Sequence, residues 1–551
     1  MIWVRREPHP PSEVKTDFDI AIVGSGFGGS LLAMIARRLG RSVVLVERGR
    51  HPRFAIGESS TPLANLLLEE LAIRYDLPQV APLAKWGTWQ RTHPQVACGL
   101  KRGFTFYHHV RGQPWIGNPG RSNELLVAAS PHDEIADTHW YRPDFDNFLV
   151  RQAQKLGAEY LDGTSLSRAC VSETGVELEA QRGGHAFTLR TQFVVDASGP
   201  RGFLHRALSL REAPFASSSS RFDHGQDARD GRLEACPTLP ATQALYTHFE
   251  GVRRWDELHS SPEPPPYSVD DAALHHVFDG GWIWVLRFNN GLTSAGVAAT
   301  NALADELSFA DGEPAWRRLL ERLPSVREQF FTAKPTLPFV HAPRLSFRSA
   351  RAADDRWALL PSAAGFVDPL LSTGFPLTLL GVERLAGLLS EHWQSPRLAE
   401  GLQAYETQTL AELDVTAALV GTLYANMDQF ETFAALSRLY FAAAMFAETM
   451  RRLGRPKRVS SFLLADDPVF GPSLRDCIEK ARRGATPPER RATIDAVLKA
   501  IEPFDLARLG DSSRRNWHPC RGEDLLAAAP KLGVERAAID QLLVRCGFTT
   551  S

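Results

Sequence analysis

Cysteine is sparse in this chain, and where it occurs it stands alone. The six residues, at 98, 170, 236, 477, 520 and 546, form no C-x-x-C pair and no dense framework. That argues against a disulfide scaffold and against a structural zinc site. An excess of charge of one sign is missing too: 62 Lys and Arg against 64 Asp and Glu leave −2. Nothing therefore draws the chain in bulk to nucleic acid or to an anionic membrane. Nor is there an unbroken run of about 18 apolar residues, the length of a membrane span; the most apolar segments are interrupted by charges such as Glu383. The opening MIWVRREPHPPSEVKT lacks the apolar core of a secretory signal. These absences lead to the expectation of a cytoplasmic protein with no metal, no nucleic-acid and no membrane partner. The 44% hydrophobic and 23% charged residues are a globular balance. A length of 551 residues suggests about two to four domains, or one large fold with insertions.

The most informative stretch is DFDIAIVGSGFGGSLLAMIARRLGRSVVLVERG, from residue 17. A short apolar run, Ile20 to Val23, ends in glycines and passes into a helical pattern with Leu32, Ile35, Ala36 and Leu39. Gly40 stops that helix, a second strand covers Ser42 to Val46, and Glu47 ends it. This is a β-α-β unit carrying G-x-G-x-x-G at Gly24, Gly26 and Gly29, with Phe27 and Gly28 between. Bare backbone can approach a pyrophosphate at the helix N-terminus, and Glu47 can accept hydrogen bonds from a ribose. Arg48 follows directly.

Further on, HPRFAIGESSTPLANLLLEELAIRYDLP suggests a helix capped by Ser60 or Thr61, with Pro62 at its first position. ACGLKRGFTFYHH alternates like a strand. It places Leu100, Arg102, Phe104 and Phe106 on one face and Lys101, Gly103, Thr105 and Tyr107 on the other. By that periodicity alone Lys101 is a solvated edge residue. A helix is expected from near Asp144, and QFVVDASGP (192–200) reads as a buried strand ending at Asp196 and Gly199. Residues 216–237 and 260–268 read as loops. Leu245 to Ala298 is sheet-rich, 355–381 repeats the strand, glycine turn and helix, and the chain is mostly helical from about 400.

Four stretches, GESSTP (57–62), GLKRGF (99–104), HHVFDGGWIWVLRFNN (275–290) and LLPSAAGFVDPLLSTG (359–374), together with the dinucleotide unit, resemble the flavin-dependent halogenases. The likeness is strongest to the branch acting on phenols and pyrroles, within the p-hydroxybenzoate hydroxylase-like flavoproteins. It spans roughly residues 17–450. It implies an α/β fold: a Rossmann-like FAD-binding domain (about 17–90, 140–210 and 340–380) interleaved with a sheet-rich substrate domain (about 91–139 and 240–339). An N-terminal extension (1–16) and a mostly helical C-terminal region (381–551) complete it. It also implies FAD, used as FADH2 from a separate flavin reductase, and chloride or bromide. The oxidised halide, as hypohalous acid, would travel to Lys101, the catalytic residue, which halogenates a small aromatic substrate, free or bound to a carrier protein. The implied FAD set adds Ser59, Ser60, Thr61, Arg142, Asp196, Gly199 and Asp368 to the fingerprint residues. The implied halide site is Ser372, Thr373 and Gly374.

Trp282 and Trp284 share one strand face with Leu286, while Ile283, Val285 and Arg287 point away. Two tryptophans there are core, or a rigid wall along a passage; Tyr107 is a further candidate for the pocket. The family motif W-x-W-x-I-P departs here to WIWVLR. Either the strand continues and Arg287 meets a carboxylate or solvent, or the passage is altered, and the protein is instead a flavin monooxygenase or oxidase that does not halogenate. A non-catalytic flavin-binding protein is a third class. Leu371 replaces the glutamate of tryptophan halogenases, which argues against free tryptophan as substrate. His275 and His276, adjacent and without metal-ligand partners at useful spacing, read as structural or substrate-lining.

Overall fold

In the computed structural model, which describes residues 16–216, 239–484 and 486–548, the N-terminal fingerprint forms the parallel centre of a mixed sheet. Strand β1 (Asp17–Val23) leads into helix α1 (Phe27–Arg38) and strand β2 (Val43–Val46). Ile20, Ala21, Ile22 and the whole of β2 are buried, as a strand covered on both faces must be. The expected N-terminal extension (1–16), apart from Thr16, and the expected loop 216–237, apart from Ala216, lie outside the described residues.

Helix α2 (Pro62–Arg74) follows, then β3 (Cys98–Lys101), β4 (Gly103–His109), β5 (Glu124–Ala128) and β6 (Asp137–Trp140). Helix α3 (Arg142–Lys155) and strands β7 (Glu159–Leu161), β8 (Thr164–Val171), β9 (Val176–Arg182) and β10 (His185–Asp196) return to the first sheet. There β10 pairs with β1 in parallel, β1 with β2 and β2 with β7. A strand at Trp357–Leu359 pairs with β10 on its other side.

Among the described residues the second sheet has nine strands. Its centre is β11 (Thr242–Glu250), β12 (Ala273–Phe278), β13 (Gly281–Arg287) and β14 (Thr293–Thr300), with β4 and β5 beyond β12. Helices α4 (Gly374–Glu391), α5 (Arg397–Tyr424) and α6 (Phe430–Arg452) begin the largely helical C-terminal region. That region is tied to the second sheet: Trp517–His518 pairs in parallel with β5. The result is a mixed α/β fold with a helical C-terminal part. No helix among the described residues is long and apolar enough to cross a membrane.

The alternation read across residues 98–110 breaks at Arg102. Strand β3 pairs with β6, whereas β4 pairs with β5 and β12 in the large sheet. Arg102 turns between them, its N–H donating to the Asp271 carbonyl at 2.7 Å. This corrects the placement of Lys101. It is fully buried, and its Nζ lies 3.8 Å from the centroid of the Phe104 ring, the residue it was expected to oppose. Tyr107 is corrected as well. It packs in a separate core on the far side of the sheet, against Trp115 and Trp255, with ring centroids 4.9 and 5.1 Å away.

Candidate functional site

Glycines shape the first wall of the site. Gly24 has φ +100°, and a Cβ there would meet the Ala197 carbonyl oxygen at 2.6 Å; a Cβ on Gly29 would meet the Gly24 oxygen at 2.1 Å. Only glycine permits this turn and the close seating of α1 against it. Gly26 caps α1 without a side-chain hydrogen bond, so the first N–H groups of the helix face a cavity of about 960 Å³. That space reaches the upper end of the range for ligand sites, about 300–1,000 Å³.

The cavity is lined on this side by Gly24, Gly26, Phe27, Gly28, Gly29, Glu47 and Arg48, and farther along by Ser59, Arg142 and Gly199. Glu47 accepts from Ser25 N (3.1 Å), Ser25 Oγ (2.9 Å) and Gly49 N (2.8 Å). Burial opposes its charge, but Arg53 and these donors win, and its carboxyl sits below the ordinary value. Arg142 is held by a two-pronged pair to Asp146 (2.8 and 2.7 Å) and by the Gly57 carbonyl (2.9 Å). The uncapped helix terminus, the bare glycine turn and the acidic end of β2 fit a dinucleotide such as FAD.

Three residues expected in that set stand behind the wall. Asp196 accepts from Ser198 N (2.9 Å), Ser198 Oγ (2.6 Å) and Leu204 N (2.6 Å), so its carboxylate ties the turn after β10. Thr61 caps α2, accepting from Ala64 N at 3.2 Å. Ser60 donates its hydroxyl to the Thr138 carbonyl at 2.7 Å. None of the three lines the cavity.

At the other end, Trp282, Trp284 and Leu286 face the cavity, while Ile283 and Val285 belong to the core on the far side of the sheet. Gly296 lies directly across from Trp284, and a Cβ there would sit 2.4 Å from the indole, so this glycine makes room for the ring. Trp282 Nε1 donates to the Tyr424 hydroxyl (3.1 Å), which donates to Asp368 Oδ2 (2.9 Å). Leu370 N donates to Asp368 Oδ1 at 3.0 Å. Burial raises Asp368 to about 7 despite these donors. Beside it Leu371 and Ser372 take left-handed φ values of 63° and 55°, a rare conformation for side-chain-bearing residues. It turns the chain sharply into α4, and Ser372, Thr373 and Gly374 line the cavity there.

Arg287 points away from the tryptophans. Its guanidinium meets Asp270 Oδ1 at 3.0 and 2.9 Å and the Val252 carbonyl at 3.0 Å. Asp270 is itself buried.

Lys101 lines neither this cavity nor a second one, but its contacts reach a residue of each. Its Nζ donates to Ser59 Oγ at 2.9 Å and to the Ser60 carbonyl. Ser59 lines the large cavity, whereas Phe104, the ring beneath the ammonium, lines a cavity of about 160 Å³ with Pro62, Tyr440, Phe441 and Met445. Burial draws Lys101 well below the usual lysine range, partly opposed by Asp137. Ser130 also lines the second cavity, and its buried hydroxyl has no hydrogen-bond partner.

Sequence reasoning missed Asp137, Ser130, Tyr424 and the buried pair Glu58–His248 (2.8 Å). Only Glu58 lay inside a quoted motif; the others are ordinary residue types brought in by tertiary structure. Among the described residues no group of three or more His, Cys, Asp or Glu could hold a metal ion.

Comparison with known proteins finds likenesses to halogenases. The family model described as tryptophan halogenase matches residues 238–434. Monodechloroaminopyrrolnitrin halogenase PrnC of Pseudomonas fluorescens is 28% identical, over 89% of this chain and 83% of its own. Tetracycline 7-halogenase of Kitasatospora aureofaciens is 27% identical, over 78% and 73%. The crystal structure of halogenase PltM with phloroglucinol and FAD superposes with TM-score 0.76 at 25% identity, over 90% of this chain and 99% of that one.

Proposed function

We propose, for a chain that belongs to the flavin-dependent halogenases, that it halogenates one electron-rich ring held in the second cavity, with Lys101 passing the halogen across. The observation that carries this reading is the position of Lys101: dry, hydrogen-bonded to a residue of the large cavity, and stacked on a residue of the small one. Reduced FAD, when bound, supplies with O₂ the two-electron oxidation of the halide. Gly24, Gly26, Phe27, Gly28, Gly29, Glu47, Arg48, Ser59, Arg142 and Gly199 would hold FAD, with Asp196, Ser60 and Thr61 supporting the wall from behind. The backbone of Ser372, Thr373 and Gly374, at the N-terminus of α4, would hold the chloride or bromide. Trp282 and Trp284 wall the route and keep the ring away from the site of oxidation, so that halide reacts first.

The Lys101 ammonium can hydrogen-bond hypohalous acid and polarise the halogen towards the ring. An apolar cavity of about 150 Å³ takes a benzene-sized ring, so about 160 Å³ suits a single phenol or pyrrole. The Ser130 hydroxyl is free to meet the ring's OH or NH. Relatives support that class. Two act on pyrrole carried by a peptidyl-carrier protein, and the PltM structure holds phloroglucinol. One dinucleotide fingerprint in the sequence supports a separate flavin reductase as the source of FADH2.

Arg287 was the feature that favoured direct oxidation without halogen. Its charge is satisfied by Asp270, on the face opposite the route. The test is to incubate the protein with FAD, a flavin reductase, NADH and chloride or bromide, and screen phenols and pyrroles by mass spectrometry. Halide-dependent mass shifts are expected. Oxygen addition independent of halide would overturn the reading.

A further inference from the structure

We propose that Asp137 is a positioning residue for Lys101, favouring its charged form from across the β3–β6 pair inside the dry core. The inference rests on the reading of Lys101 given above. Lys101 and Asp137 are directly opposed in the antiparallel register. Such residues have Cβ atoms about 4.5–5.5 Å apart. Both are buried. Asn65 Nδ2 donates to Asp137 Oδ1 at 2.9 Å, which fixes the carboxylate. Its other oxygen, Oδ2, is buried and has no partner. An ammonium has three donors, and Ser59 and Ser60 take two. The two side chains form no direct hydrogen bond, so the carboxylate acts on the ammonium through space inside the dry core.

The other groups nearby do not replace Asp137. His139 on β6 and His275 on β12 are held neutral by burial. On α6, Glu448 and Arg452 neutralise each other at 2.8 Å, and Tyr440 keeps its proton. The Cys520 thiol is likewise kept protonated by burial. Asp137 is therefore the one carboxylate that opposes the effect of burial on Lys101. With the carboxylate opposite it, the Lys101 ammonium keeps a counter-charge in an apolar interior where a lone charge would be costly.

The test measures Lys101 directly. The FAD-loaded protein and its Asp137→Asn variant are treated with formaldehyde and a borane at pH 6–9, and methylation of Lys101 is followed by peptide mass spectrometry. Removing the carboxylate leaves burial unopposed, so the methylation midpoint is expected to move at least one pH unit lower. The pH profile of halogenation should move in the same direction, while bound FAD and the oxidation rate of reduced flavin stay as in the parent. Asn65→Leu, which loosens Asp137 but leaves its carboxylate, should give a smaller shift of the same sign, and it serves if Asp137→Asn fails to fold. Unmoved methylation midpoints in both variants would overturn the proposal. A shifted midpoint in a protein that makes no halogenated product would instead uphold it and count against the proposed function.

Discussion

Arg287→Met is expected to weaken the fold and leave halogenation intact. The guanidinium is the partner of Asp270, whose side chain is fully out of solvent. Taking one member from a buried ion pair costs about 3–5 kcal/mol, because the other charge stays buried. Unfolding entropy is about 2.1 cal/mol/K per residue, or roughly 1 kcal/mol/K if all 551 residues unfold together. The melting temperature should therefore fall by about 3–5 °C. The double variant Arg287→Met/Asp270→Asn removes the orphaned charge and should recover most of that fall. At 20 °C, where every form is folded, the single variant should halogenate close to the parent rate, since the side chain lies opposite Trp282 and Trp284. The assay pairs a thermal melt with turnover by mass spectrometry. A variant with an unchanged melt and abolished halogenation would show that Arg287 acts in the route itself.

Gly24→Ala should purify without bound flavin, read from its visible absorbance, because the new Cβ would lie 2.6 Å from the Ala197 oxygen at φ +100°. Ser130→Ala should raise KM for a phenol by about tenfold with little change in kcat, the worth of one hydrogen bond of about 1–1.5 kcal/mol; an unchanged KM would remove Ser130 from the substrate site. Asp368, raised from 3.8 to about 7, binds its proton more tightly in the folded chain than unfolded. Its contribution to stability therefore declines as pH rises between those values, by at most about 4 kcal/mol at 1.36 kcal/mol per unit. Urea midpoints at pH 5 and pH 8 should accordingly differ less in Asp368→Asn than in the parent.

What was legible in the sequence was local. The fingerprint glycines, Glu47 and the helix they open depend on neighbours within about 30 residues, and β13 kept its alternation because it lies inside one sheet. Lys101 was misplaced because period-2 reasoning assumes a single strand, whereas Arg102 hands the chain from one sheet to another. The same assumption put Tyr107 on the wrong side. Asp196, Ser60 and Thr61 sit one hydrogen bond behind the wall, a difference of a few ångströms that spacing cannot resolve. Tyr424 on α5 and Ser130 after β5 reach the site from far along the chain, with no motif to mark them.

The most direct measurement compares Lys101→Met with the parent for three quantities: oxidation of reduced flavin, hypohalous acid trapped by a scavenger, and halogenated ring. A lysine that carries halogen between two cavities predicts unchanged oxidation, trapped hypohalous acid and no product. Ring halogenation at the parent rate in that variant would contradict it.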